Sequence, residues 1–184
     1  MNTILMTGSS TAKGGFIASK LTEAGYQIYG VGQGGPDHNL DFRYLSTPNI
    51  DRCFSLAERE FGCPVRHLVL NARIDTALNP IDLDPVADIA PALYCNLFSV
   101  LAFSVQFIKH QEKYFNLGDD LDRKIVVITQ DDKTDLIKCV VNTAIAGLET
   151  YLDVTSIIPI DITIVKSGKT REATAKKVLA AFKV

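Results

Sequence analysis

The 184-residue chain has no tryptophan, three histidines and four cysteines. Cys53, Cys63, Cys95 and Cys139 are scattered with no C-x-x-C pair, and His38, His67 and His110 stand alone. That spacing offers neither a zinc site nor a disulfide framework, so no metal is expected. Dispersed free thiols fit a reducing compartment, and a cytoplasmic location is expected. No block of one charge sign occurs: Lys and Arg number 19, Asp and Glu 21, for a net charge of -2. Without a basic stripe or aromatic–basic interleaving, nucleic acid is not an expected partner. The start lacks a basic n-region followed by an apolar core, so no signal peptide is read. The most apolar run, Leu93–Ile108, is broken by Asn96, Ser99, Ser104 and Gln106. It reads as a buried helix too short to span a bilayer comfortably, and no membrane is expected. No repeat or linker is visible, and the length suits one domain, 1–184.

What is present is alternation. Thr3–Met6 is a short apolar strand. Gly8 to Gly14 is a polar turn rich in Gly and Ser, and Phe16, Ile17, Lys20 and Leu21 recur at helical spacing until Ala24-Gly25. A strand that enters a helix through such a turn leaves unpaired backbone N–H groups at the positive end of the helix dipole. That favours a phosphate or diphosphate. Further strands are expected at Tyr26–Val31, Asn39–Phe42, His67–Leu70, Lys124–Thr129 and Ile160–Val165. A helix is expected from Pro48, capped by Thr47, with Ile50, Phe54, Leu56, Ala57 and Phe61 on its apolar face and Gly62 at its end. Asn71 to Asp84 reads as loop and Asn116–Asp122 as a polar turn. Other helices are expected over Pro91 to Phe115, Leu136–Leu152 and Thr170–Phe182. Strands alternating with helices predict an α/β doubly wound parallel sheet of about six strands with helices on both faces. Ligands of such sheets sit at the carboxyl ends of the strands, where the Gly8–Gly14 turn would lie.

The order of several short motifs resembles the short-chain dehydrogenase/reductases, a Rossmann-fold family that uses NAD or NADP. Thr7-Gly8-Ser9-Ser10-Thr11-Ala12-Lys13-Gly14 falls on the family's T-G-x-x-x-G-x-G turn, with Ala12 in place of a Gly. Leu40-Asp41-Phe42 resembles the Asp-Val after the third strand, and Leu68-Val69-Leu70-Asn71-Ala72-Arg73 resembles L-V-N-N-A-G. Cys95-Asn96-Leu97 falls on the position of the catalytic Asn, and Thr129 or Gln130 near that of the catalytic Ser. The resemblance implies a dinucleotide site formed by Gly8, Ser9, Ser10, Lys13, Gly14, Gln33, Asp41, Phe42, Asn71 and Ala72. Gln33 stands where an NAD enzyme keeps an acid and an NADP enzyme a base, and being neither it leaves the cofactor form open. Gly8 and Gly14 serve the turn with or without a ligand, Asp41 can equally cap its loop, and Asn71 is structural or ribose-facing.

The departures fall on the chemistry. The family's Tyr-x-x-x-Lys pair maps onto Lys138 and Asn142, so neither member is kept. Asn96, Thr129 and Lys138 are then the candidates for handling a proton during reduction of a small carbonyl or oxidation of an alcohol. After Ser167-Gly168 no substrate lid is inserted. The alternative expectation is a non-catalytic relative that senses a dinucleotide or works by association. It would form a homodimer or tetramer through helices 91–115 and 136–152, using Phe98, Leu101, Phe103, Phe107 and Leu148.

Overall fold

The computed structural model describes residues 2–71, 89–115, 122–130, 136–155 and 158–183. Six strands form one sheet in the order β3-β2-β1-β4-β5-β6, and every pairing is parallel. They are β1 (Thr3–Thr7), β2 (Gln27–Gly32), β3 (His38–Asn39), β4 (His67–Leu70), β5 (Lys124–Thr129) and β6 (Asp161–Lys166). Strand order reverses between β1 and β4, which is where a doubly wound sheet opens a crevice at its carboxyl edge.

Both faces are covered, which is why the central strands are apolar without interruption. Ile4, Met6, Val69 and Val126 point toward α1 (Ala12–Glu23) and α6 (Arg171–Ala181), packing with Ile17, Leu21 and Val178. Leu5, Leu68, Leu70, Ile125 and Val127 point the other way. There they meet α2 (Thr47–Phe61), α4 (Ser99–Phe115) and α5 (Leu136–Thr155) through Phe54, Phe103, Phe107 and Ile145. Alternate residues of one strand thus serve two cores.

The cap of α2 is Ser46, whose hydroxyl accepts the Asn49 N–H; Thr47 is the first helical residue and not the cap. Ser46 sits one residue before the Thr-Pro pair that marks the helix start, and its extended backbone frees the hydroxyl to turn inward. Gly62 ends α2 in the left-handed conformation at φ 67°. The expected strand Asn39–Phe42 is shorter and earlier. Only His38–Asn39 pair with β2, and Phe42 opens a 3-10 turn, Phe42–Tyr44, that the Asp41 carbonyl starts by accepting the Tyr44 N–H.

The helix expected from Pro91 is continuous over Ala90–Phe115, as α3 (Ala90–Leu93), a π-helical turn Tyr94–Phe98, and α4. Its 26 residues make it, by length and composition, long and apolar enough to cross a membrane, longer than the run Leu93–Ile108 suggests. Its inner face is spent on the core, where Ala92, Cys95, Val100, Phe103 and Phe107 are buried; Phe103 and Phe107, with Leu148 of α5, are core residues and not the interface expected of them. Cys53 and Cys95 are buried thiols; Cys63 and Cys139 are half-buried, and no disulfide joins any of the four.

Candidate functional site

The turn from β1 into α1 is built on one carbonyl. Gly8 takes φ 67°, a conformation a side chain disfavours, and its N–H donates to the Val31 carbonyl at 2.9 Å. The Gly8 carbonyl accepts from the Thr11 hydroxyl at 2.9 Å, the Thr11 N–H at 3.3 Å and Asn71 Nδ2 at 3.4 Å. Thr11 caps α1, its Oγ1 accepting the Gly14 N–H at 2.9 Å. A Cβ on Gly14 would lie well inside 3.0 Å of the Gly8 carbonyl oxygen and 2.9 Å from Asn71 Nδ2. Gly14 is therefore what lets the first helical turn press onto the end of β1. The N–H groups of Ser9, Ser10 and Ala12 have no partner among the described residues. They stay available at the positive end of the helix.

Asn71 is buried, and both its amides serve this turn: its N–H donates to Thr7 Oγ1 at 3.1 Å and its side chain to Gly8. Between the two readings of Asn71, the structural one is therefore satisfied. Ser9 is buried, and its hydroxyl has no hydrogen-bond partner among the described residues. Ser10 is exposed and lies against Gly32, where an added Cβ would come 3.2 Å from its hydroxyl. Lys13 is half-buried, and its ammonium donates to Ser167 Oγ at 2.7 Å, joining the start of α1 to the loop after β6. Gln33 is exposed and Asp41 half-buried. The Phe42 ring stands edge-on to Phe103 at 6.1 Å and belongs to the core on the α2–α4 face. Ala72 and Arg73 lie outside the described residues.

Asn96 falls inside the π-helical turn. Its Nδ2 donates to the Ala92 carbonyl at 2.8 Å, and Ser99 Oγ donates to the Cys95 carbonyl at 2.5 Å. Side chains that bond back to the preceding turn compete with the backbone ladder and distort it. The π-turn that Asn96 occupies is a form often found at functional sites. Thr129, the last residue of β5, is buried, and its carbonyl accepts the Ser167 N–H at 2.7 Å. Asn142 of α5 donates through Nδ2 to the Gln130 carbonyl at 2.7 Å, directing that face of α5 at the carboxyl end of β5. Lys138 is one turn earlier on the same face and is half-buried. Helix α5 also packs against the π-turn that carries Asn96. The carboxyl ends of β1, β4, β5 and β6 thus gather the phosphate-type turn, Asn71, Thr129 and the Lys13–Ser167 link along one edge of the sheet.

Three contributors escape a reading by motif. Thr11 acts by capping, Ser167 by receiving Lys13, and Asp37 by accepting the Gly30 N–H through Oδ2 at 2.5 Å. Each is a polar residue in a turn, where sequence shows the type and only packing shows the partner. Among the described residues no group of three or more His, Cys, Asp or Glu side chains could hold a metal ion.

No protein-family model matches the chain, and no curated protein matches it. Solved structures do. Serine dehydrogenase from Escherichia coli superposes with a TM-score of 0.76 at 17% identity, over 99% of this chain and 91% of that one. A short-chain dehydrogenase/reductase from Serratia marcescens gives 0.73 at 16% identity, over 98% and 88%. The aldohexose dehydrogenase of Thermoplasma acidophilum gives 0.72 at 18% identity, over 96% and 76%. The chain therefore has the fold of the short-chain dehydrogenase/reductases across nearly its whole length.

Proposed function

We propose that the chain binds a nicotinamide dinucleotide, its diphosphate lying on the turn between β1 and α1. The observation that carries this reading is the close seat of Gly14 on Gly8 at the switch point of the sheet, with the Ser9, Ser10 and Ala12 amides left open. The residues fit such a group: the two glycines bring backbone to the surface, and the Lys13 ammonium is beside them to offset charge. Asp41, just beyond β3, would serve the adenine side, and Asn71 holds the turn through its bonds to Thr7 and Gly8.

When bound, a reduced nicotinamide supplies a hydride for a carbonyl carbon. In the oxidoreductase form of the reading, the chain's part is the proton. The Thr129 hydroxyl holds the carbonyl oxygen, Lys138 delivers the proton to it, and Asn96 orders the path between them. With the Tyr-x-x-x-Lys pair missing, this is a degenerate form of such a site, and dinucleotide binding does not depend on turnover.

Thermal unfolding with millimolar NAD, NADH, NADP or NADPH tests it, since a ligand at a hundred times its Kd stabilises by about 2.7 kcal/mol. A melting temperature unmoved by all four, with no heat on titration, removes the reading. Turnover is checked separately by screening small carbonyls and alcohols, with Lys138→Ala as the control.

A second reading is association, and a specific pattern supports it. On α4 and the π-turn, Tyr94, Phe98 and Val105 are more than two-fifths exposed, as are Val140 and Tyr151 on α5. With Leu101 on the one helix, and Ala144 and Gly147 on the other, each set recurs at i, i+4, i+7, i+11 and so forms a stripe. Apolar stripes of that length mark contact surfaces. A homodimer or tetramer through helices 91–115 and 136–152 would cover them. Sedimentation as a monomer at high concentration counts against it.

A further inference from the structure

The charges of this chain are unevenly placed. Six of its 19 Lys and Arg residues fall between Lys166 and Val184, where Glu172 is the one acidic side chain. Helix α6 carries most of that stretch and packs beside α1, on the face of the sheet opposite α4 and α5. A groove of about 350 Å³ lies between α1 and α6 on their outer side. Along α6 it is lined at 172, 175, 176, 179, 180 and 183, the spacing of a single helix face, and along α1 at Phe16 and Lys20.

Floor and rim differ in chemistry. Ala175 is buried and Phe16 and Leu179 are half-buried, so the floor is apolar and recessed. The rim is cationic. The Arg171 guanidinium lies 4.7 Å and the Lys20 ammonium 5.7 Å from the centre of the Phe16 ring. The acids nearby are already used: Glu23 pairs with Lys20 at 2.6 Å and Glu172 with Arg171 at 2.9 Å. Lys176 and Lys183 are exposed and have no hydrogen-bond or ion-pair partner among the described residues. Two uncompensated cations thus stand about two helical turns apart beside an apolar trough.

We propose that this groove docks an acidic amphipathic helix of a partner protein, with apolar side chains on the floor and carboxylates against Lys176 and Lys183. From 172 to 183 the floor runs about 16 Å, room for about three turns of helix with apolar residues at i, i+4 and i+7. Carboxylates on the flank of such a helix complement the rim. A second copy of this face is disfavoured, because a two-fold contact sets like cations against each other. A flat membrane or a nucleic-acid backbone would meet the lysines and leave the recessed floor empty. The groove shares no residue with the turn between β1 and α1, so the proposal is independent of dinucleotide binding.

The test is fluorescence anisotropy with the full chain and a labelled peptide of about 14 residues, about four turns, with Leu at i, i+4, i+7 and i+11, Glu beside them and Ala elsewhere. A scramble of the same composition is the control. The amphipathic peptide is expected to bind at least about tenfold more tightly than the scramble. The double variant Lys176→Glu with Lys183→Glu weakens it by about tenfold or more, and so does high salt. Ala180→Glu keeps both lysines, places a charge on the floor and weakens the peptide too. Should the double variant fold poorly, Lys176→Gln with Lys183→Gln asks the same question without reversing charge. Equal binding of peptide and scramble, or an affinity unchanged in the lysine variants, overturns the proposal. Tighter binding to vesicles of phosphatidylcholine with phosphatidylserine, or to a single-stranded DNA oligonucleotide, than to the amphipathic peptide overturns it as well and assigns the lysines to a lipid or a nucleic acid.

Discussion

Replacing Gly14 with alanine puts a methyl group where the structure has the Gly8 carbonyl. The new Cβ would lie well inside 3.0 Å of that oxygen and 2.9 Å from Asn71 Nδ2, and the nearer of these neighbours is backbone. A carbonyl tied into the β1–α1 turn cannot rotate away, so the first turn of α1 has to lift off β1. Overpacking of this kind costs about 1–3 kcal/mol. Lifting the turn also breaks the Asn71–Gly8 hydrogen bond, worth about 1 kcal/mol. Alanine's better helix propensity returns about 0.5–1 kcal/mol. The net loss is about 1–3.5 kcal/mol, or about 2–14 °C in melting temperature for a chain of this size. Two neighbours calibrate the result. At Gly15 the nearest atom to an added Cβ is the Ser9 carbonyl oxygen at 3.3 Å, so Gly15→Ala is expected within about 1 kcal/mol of wild type. At Gly147, inside α5, nothing lies within 4 Å, and Gly147→Ala gains about 0.5–1 kcal/mol. Urea unfolding at low protein concentration reads all three. A Gly14→Ala midpoint level with that of Gly15→Ala would refute the tight-seat reasoning, and with it the observation on which nucleotide binding was proposed.

His67 gives a pH signature. Burial pushes its pKa down to about 4; nearby Asp122 opposes the shift, and Lys124 and Arg66 add to it. The folded state therefore holds the imidazole neutral where the unfolded chain, near 6.5, protonates it. Stability is full above pH 6.5 and is lost as pH falls toward 4, by about 3 kcal/mol in all. His67→Phe keeps the edge contacts with Tyr26 and Phe182 and should flatten that slope in urea titrations from pH 7 to pH 4; an unchanged slope assigns it elsewhere. Burial also pushes the Cys53 thiol up to about 12. In native protein at pH 8, Cys53 should stay unalkylated by iodoacetamide on mapping by mass spectrometry, and ready labelling would contradict its placement. For the apolar stripes, Phe98→Glu and Tyr151→Glu remove exposed rings. Both should shift sedimentation toward monomer while leaving the melting temperature of the dilute protein within about 1 kcal/mol equivalent of wild type. Oligomers unaffected by both charges would place the contact on another surface.

The architecture was legible because its signals are local and repeated. Runs such as Leu68-Val69-Leu70 and Ile125-Val126-Val127 are apolar at every position, which only a sheet covered on both faces requires. Gly62 and Gly25 stop helices because a left-handed residue is cheap only for glycine. The π-turn at Asn96 has a local cause too, a side chain bonding four residues back. The strand at His38–Asn39 was misplaced, because two paired residues leave no periodicity to read, and Phe42 looks like a strand residue until its ring is found against Phe103.

What the amino-acid order determined by itself is the alternation of strands and helices and the glycine turn after the first strand. These depend on spacing within a dozen residues, and spacing is written along the chain. Tertiary structure alone decided the partners of single polar groups. Lys13 meets Ser167 from 154 positions away, Asn71 reaches back to Gly8, and Asp37 accepts the Gly30 N–H. A lone polar side chain satisfies its hydrogen bonds with whatever the fold brings within about 3 Å, and no local pattern records which residue that is.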